Sequence, residues 1–447
     1  MKSRLFGFAV LFGVLFVFHS TSDVYAYPWF ARRLVDSCNK CHVSFPKTND
    51  YGWYVKSTGY ELPKMDYTGL EESPVKRFFR YFPVAVRFKV DAINSNPSHM
   101  EGDVNIRTAQ LISGGSIWGN RISWWFHKHM IENNEFEKLF GGTPHEMWGQ
   151  YNLHFGRSNV NRLSLRYGMS EMPLRFSPAK TKLSEMEYAI YNAMPGENSI
   201  MLSMPQYGIT LKALRLGGDN YNEVRTTFDL AFVNGTGDFS SSKFNQVFGR
   251  IGTSLANTMV GAFTYVGSQN LAMAVHDHAD EVATGPDGGR ADALMTVDNN
   301  FFRIGLDFDS NISTLFNVYG LVLYGRDSNP LALQTAAIGR YYGGFLGVDY
   351  VPSEKVMFSW RFDAVRFNDL PAAGHDEHAG GEMDMHSVAG GHGHMHGEMV
   401  TSNTDAMVFG TQFLPLPNIY QVRLTAEYRL AMRGQSDKLI AGVQFAF

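Results

Sequence analysis

Cysteine is almost missing from this chain. Only two of its 447 residues are cysteine, so no disulfide framework holds the fold together. Beyond the N-terminal stretch there is no run of 18 or more apolar residues, which leaves closed β-strands as the one way to cross a membrane. Charged residues make up 18% and nearly balance, at a net charge of −4, so the chain lacks the basic footprint of a nucleic-acid binder. A nucleophile elbow, a phosphate loop and paired carboxylates in a recognisable catalytic setting are also missing, which removes motif support for hydrolysis and phosphoryl transfer.

What is present is concentrated. Both cysteines fall in Cys38-Asn39-Lys40-Cys41-His42, the spacing at which two thiols bond the vinyl groups of a haem while the histidine coordinates its iron. A zinc site would want two further ligands at short spacing, and a thioredoxin-like pair would want a βαβ pattern around it. Neither is found, and the motif reads as the attachment site of one covalent haem c.

Lys2 and Arg4 precede an apolar run, Leu5 to Phe18, and a polar stretch ending Val24-Tyr25-Ala26. This is the layout of a secretory signal peptide over 1–26. The residues from 27 to 80 form a small haem-bearing segment, too short to bury a core of its own; it would gain stability from the haem or as a plug packed inside a barrel. Residues 81–447 carry aromatics, glycines and period-2 alternation. Val84, Val86, Phe88 and Val90 alternate with Arg87, Lys89 and Asp91; Leu163, Leu165 and Tyr167 alternate with Arg162, Ser164 and Arg166; Val422, Leu424 and Tyr428 alternate with Arg423, Glu427 and Arg429.

Sixteen such segments run from 84–93 to 438–447. The second and third are placed at 104–113 and 115–126, which puts a turn at Gly114. Long connections (127–146, 171–205, 269–299, 367–404) alternate with short ones such as Val351-Pro352-Ser353. That sorting fits an all-β, transmembrane antiparallel barrel of about 16 strands, with long outer loops and short periplasmic turns. The last strand ends on Phe447 and resembles the closing strand of bacterial outer-membrane barrels. Both ends together imply the outer membrane, with the haem segment entering from the periplasm and 367–404 outside the cell.

Within that loop His375, His378, His386, His392, His394 and His396 stand among carboxylates and methionines on a glycine-rich chain. Such a tract wraps divalent metal, and its mixed donors do not choose between iron, copper and zinc. For the second axial position of the haem, Met65 is the nearest methionine, and thioether ligation raises a haem's potential. His99, His127, His129, His145 and His154 are rivals on early strands or their loops, where a lone histidine is more often a lumen or loop residue. Arg87, Arg162 and Arg166 face the lumen, as candidates to pair with haem propionates or as ordinary porin wall.

The signal peptide, Cys38 to His42, Phe45-Pro46, Asn49, Gly52 and Gly59-Tyr60, followed by a barrel ending in Phe447, resemble the fused monohaem cytochrome and porin proteins that serve iron-oxidising bacteria as outer-membrane iron oxidases. The resemblance implies one-electron oxidation of extracellular Fe(II), with Cys38 and Cys41 holding the haem, His42 as proximal ligand, and a periplasmic cytochrome c or other carrier receiving the electron. Two alternatives remain: a metal-binding porin with a structural haem, and electron flow outward. Assembly of several barrels is a further option, as in many sixteen-stranded porins.

Overall fold

The structure is a computed structural model that describes residues 41–44, 47–60, 83–94, 103–118, 121–132, 135–136, 145–155, 161–177, 184–196, 198, 200–217, 224–235, 243–272, 296–332, 338–353, 355–368, 400–415, 422–434 and 436–446. The expected signal segment, Cys38, Met65, His99, Phe447 and the histidine-rich tract with His375, His378, His386, His392, His394 and His396 lie outside the described residues.

A short hairpin, β1 (His42–Ser44) and β2 (Lys47–Thr48), leads into one helix, α1 (Asp50–Ser57). Among the described residues the strands that follow are β3 (Val84–Asn94), β4 (Asp103–Ile117), β5 (Ile122–Glu132), β6 (Glu135–Phe136), β7 (Glu146–Phe155), β8 (Asn161–Ser170), β9 (Gln206–Leu216), β10 (Val224–Val233), β11 (Gln246–Leu255), β12 (Thr258–Ala272), β13 (Thr296–Asn311), β14 (Phe316–Asp327), β15 (Gly339–Tyr350), β16 (Val356–Asn368), β17 (Thr404–Phe413), β18 (Val422–Arg433) and β19 (Lys438–Ala446), with a short 3-10 helix at Ala189–Asn192 between β8 and β9. Consecutive strands pair antiparallel, and β19 closes on β3 with Val443 opposite Val90. The two-residue β6 only extends the β5 edge, so the closed barrel has sixteen full strands, as the alternation implied.

Burial runs opposite to that of a soluble sandwich. On β13, Ile304 and Leu306 are 47% and 58% exposed while Arg303 and Asp307, which flank them, are buried. The same holds on β8, with Leu165 and Tyr167 out and Arg162 and Arg166 in, and on β18, with Leu424 out and Glu427 in. An apolar outer belt around a charged interior is the arrangement lipid demands, because the closed ladder leaves no backbone group unpaired within the sheet.

The charges inside neutralise one another. Arg250 forks onto Asp307 at 2.6 and 3.0 Å, Arg303 meets Asp327 at 2.7 Å, and Arg361 meets Asp363 at 2.7 Å. The interior is also filled. The connection 171–205 was expected as an outer loop, but it folds into the lumen. There Met172, Leu174, Phe176, Tyr188, Ile190 and Tyr191 pack on inward aromatics of β11 to β16, including Phe248, Tyr319 and Phe345. Its middle is pinned to the wall. Glu185 pairs with Lys89 and Arg423, Glu427 accepts from Ser184 Oγ at 2.9 Å and from the Met186 amide at 3.1 Å, and Arg361 donates to the Met186 and Glu187 carbonyls.

One boundary differs from the sequence reading. The third strand is 122–132 rather than 115–126, because β4 continues through Gly114 to Ile117. Gly114 is no turn. The Trp125 ring lies over it, and a Cβ there would come within 2.6 Å of the indole. The turn falls instead beside Trp118, whose φ of 53° is left-handed.

Two outcomes follow from this arrangement. Ile304→Arg, in the outer belt, should cost about 2–4 kcal/mol, read as a shifted denaturant midpoint of the barrel folded in lipid vesicles. Burial opposes ionisation of Glu185, but Arg423 and Lys89 outweigh it and hold its carboxyl well below the ordinary value of 4.5. The pinning is therefore complete above that value and weakens as pH falls below it. Conductance of reconstituted barrels should rise on acidification below about pH 4, and Glu185→Gln should show that higher conductance at neutral pH.

Candidate functional site

Cys41 and His42, the described residues of the Cys38–His42 motif, sit inside the barrel at the start of a segment whose turns are built from its own residues. His42 pairs with Thr48 across the hairpin, which brings Asn49 back so that its amide donates to the Cys41 carbonyl at 3.0 Å. The Asn49 side chain then caps α1 by accepting from the Gly52 amide at 2.9 Å, the role for which asparagine is favoured at a helix start. Gly52 is required for a different reason. Any Cβ at 52 would lie 1.9 Å from the Cys41 carbonyl oxygen, so only glycine lets the first helical turn rest on the cysteine's backbone.

The other end of α1 is tied to the wall. Carbonyls of the last turn accept from Arg166 at 3.5 Å (Lys56, which also accepts from the Gly59 amide) and from Gln150 at 3.4 Å (Ser57). Gly59 and Tyr60 both take left-handed φ, 73° and 66°, and this reversal lays the Tyr60 ring on Trp125 and Trp148 at centroid distances of 4.6 and 6.0 Å. Burial pushes the Tyr60 phenol well above its usual range, against the opposing pull of Arg166. At the start of the segment, Lys47 pairs with Asp349 and donates to Asn317 at 2.5 Å. Tyr51, Tyr54 and Val55 are buried with Leu214, Leu216 and Met259 of the wall, and Cys41 and Trp53 pack against that group.

A cleft beside α1 is lined by Trp53, Tyr60, Trp148, Arg166, Glu171 and Lys212. The Arg166 guanidinium stacks on Trp148 at 3.8 Å and donates to Gln150 at 2.9 Å. Arg87 donates to Gln110 at 2.6 Å, and Arg162 is buried in the wall. Of the three arginines singled out in the sequence, Arg166 alone lines this cleft.

On β5, His127 and His129 share the inward face two residues apart, and the chain returns from connection 133–145 to set His145 and Glu146 beside them. The three imidazoles have pairwise centroid distances of 4.9 to 5.1 Å. Taken singly, the sequence offers His127 and His129 as rival distal haem ligands, a position where a lone histidine is more often a lumen or loop residue. Their period-2 spacing on one strand face was legible, but the approach of His145 and Glu146 was not. His154 lies on β7, and Met65 and the loop histidines fall outside the described residues.

No family model matches the chain, and no curated protein matches it either. Among solved structures it is similar to the outer membrane protein OmpT of Vibrio cholerae (8% identity, 81% of this chain, 96% of that chain, TM-score 0.49). It is also similar to the anion-selective porin of Comamonas acidovorans (9% identity, 81% and 98%, TM-score 0.49) and to the channel DcaP of Acinetobacter baumannii (10% identity, 81% and 96%, TM-score 0.48).

Asn49→Ala should loosen α1 by about 1 kcal/mol, and Gly52→Ala by more, because the atom it meets is backbone and cannot swing aside. Hydrogen exchange at the α1 amides measures both, and faster exchange in the glycine variant than in the asparagine variant is the expected order.

Proposed function

We propose that this chain is an outer-membrane cytochrome-porin that takes electrons from extracellular Fe(II) and passes them to a periplasmic cytochrome c or another carrier. The observation that carries the reading is the placement of Cys41 and His42 at the head of a segment folded into a filled barrel. A solute porin needs an open path, whereas an electron needs only closely packed groups.

The residues fit a haem c in their chemistry. Cys38 and Cys41 would tether it and His42 would be the proximal ligand. Cys41 and His42 are only half-buried and so are accessible within the lumen, with the Cys41 side chain packed against a largely aromatic buried group that includes Tyr51, Tyr54 and Tyr60. When bound, such a group accepts and releases one electron. The chain's own residues do the rest: Asn49 and Gly52 fix the Cys41 backbone, while Lys47, Lys56 and Tyr60 anchor the segment. Met65 is proposed as the distal ligand, which would set a potential suited to accepting electrons from iron. The tract from His375 to His396 is proposed to gather divalent metal, Fe(II) with Cu or Zn as competitors, at the outer mouth.

Purified protein mixed anaerobically with ferrous salt tests the reading through its absorption bands. Appearance of the reduced haem spectrum is expected. His42→Ala should lose the six-coordinate spectrum, and Cys38→Ala with Cys41→Ala should leave no covalent porphyrin in the mass spectrum. Haem that stays oxidised under excess ferrous ion, or wild-type protein without a porphyrin adduct, rejects it.

A further inference from the structure

Among the described residues, one group of side chains inside the barrel has the composition of a transition-metal site and is not accounted for by the haem motif. His127, His145 and Glu146 each offer one donor atom, and these atoms all lie within 4.8 Å of one another. The geometry points to a lumenal binding site for a divalent first-row cation, formed by His127, His145 and Glu146 with His129 as an adjacent imidazole.

Three features favour a metal over a simple packed cluster. Imidazole nitrogen with one carboxylate oxygen is a donor set that holds Fe(II), Zn(II) or Cu(II), at about 2.0–2.2 Å for zinc, so side-chain rotation draws the triad onto an ion. Hydrogen bonds from residues around the site hold one donor and the adjacent imidazole in place, as outer partners do at metal sites. Glu146 accepts from Trp125 Nε1 at 3.1 Å and from the Glu171 amide at 3.2 Å, so its carboxylate is held from two sides. His129 bonds Glu132 through Nδ1 at 3.1 Å and Gln110 through Nε2 at 2.8 Å. The buried carboxylate of Glu146 also supplies the negative charge that a divalent cation favours among its donors.

The place of the site in the barrel gives it a meaning. β5 rises from the short turn at 118–121 toward the long connection 133–145, so His127 and His145 stand on the long-connection side of Trp125. Glu146 touches Trp125, and Trp125 stacks on Tyr60 at the end of the segment that begins with Cys41. The site therefore lies between the long connections and the haem-bearing segment. If the proposed function holds, on which this step rests, the cation class it receives is ferrous ion admitted from the outer mouth.

The test uses the full-length holoprotein in a background where His375, His378, His386, His392, His394 and His396 are serine, which removes competing donors. Anaerobic titration with Co(II), followed by its visible absorption, should reveal one ion per chain. His145→Ala and the double variant His145→Ala with Glu146→Gln should each weaken that binding by about 100-fold or more. His127→Gln keeps a polar group at the buried position and gives a second reading should larger truncations fail to fold, with heat-modified mobility on gels certifying the barrel. Absence of Co(II) binding in the background protein, or unchanged affinity in folded variants, overturns the site. Reduction of the haem by ferrous salt should slow about tenfold in His145→Ala while reduction by dithionite stays unchanged; equal ferrous rates overturn the role in passage. Were ferrous salt to leave the background haem oxidised while Co(II) still bound, the proposed function would fail and the metal site would stand.

Discussion

Everything in this molecule depends on keeping a charged inner wall electrically quiet inside a sheet whose outer face is greasy. A closed antiparallel ladder satisfies its own backbone, and its two-residue period then sends every second side chain into the lumen. The arginines that result, Arg250, Arg303, Arg361 and Arg423, would be intolerable alone in a narrow interior. Each instead meets an acid supplied by a neighbouring position of the wall or by a segment folded inside: Asp307, Asp327, Asp363 and Glu185. Breaking one member of such a pair strands the other, so the network is costly to disturb even where it adds little net stability.

That constraint explains why the lumen is divided between two inserted segments. Toward β11 to β16 the wall turns inward aromatics, and the apolar parts of 171–205 cover them while Glu185 carries charge to Lys89 and Arg423. Toward β5 to β10, α1 and Tyr60 do the same with Trp125, Trp148, Leu214 and Leu216, and Lys47 and Lys56 reach Asp349 and Glu171. Each insert has a greasy side for the inward aromatics and a charged residue for the ion network. The short pattern after Cys41-His42 belongs to this architecture. Asn49, Gly52, Gly59 and Tyr60 take no part in chemistry by their type; they are the cap, the close approach, the reversal and the stacking ring that hold Cys41 where it is.

The barrel was legible because alternation is a strictly local signal. Leu163 to Tyr167 and Val422 to Leu430 declare their two faces without reference to anything distant, and the count of sixteen followed. The third strand was misplaced because Gly114-Gly115 has the composition of a turn, and only the Trp125 ring from the next strand shows that the small residue serves packing. The path of 171–205 was hidden for a related reason. Its apolar residues, Leu174, Phe176, Ile190 and Tyr191, are unlike those of a solvated loop, but loop length dominated the reading. The histidine cluster needed tertiary information outright, since His127 and His145 stand on either side of a connection whose return point no local pattern specifies.

A filled lumen also separates the two kinds of traffic that a barrel could carry. Ions and solutes keep part of their hydration and need a continuous wet path, and among the described residues this is narrowed by the aromatic packing of Phe176, Tyr188 and Phe345 and by Tyr60 stacked on Trp125 and Trp148. Electron transfer has the opposite need, because packed rings bring donor and acceptor orbitals close while water between them adds reorganisation. On the proposed reading, filling the barrel and conducting through it are one design, and the wall's ion pairs keep the low-dielectric interior from trapping the moving charge.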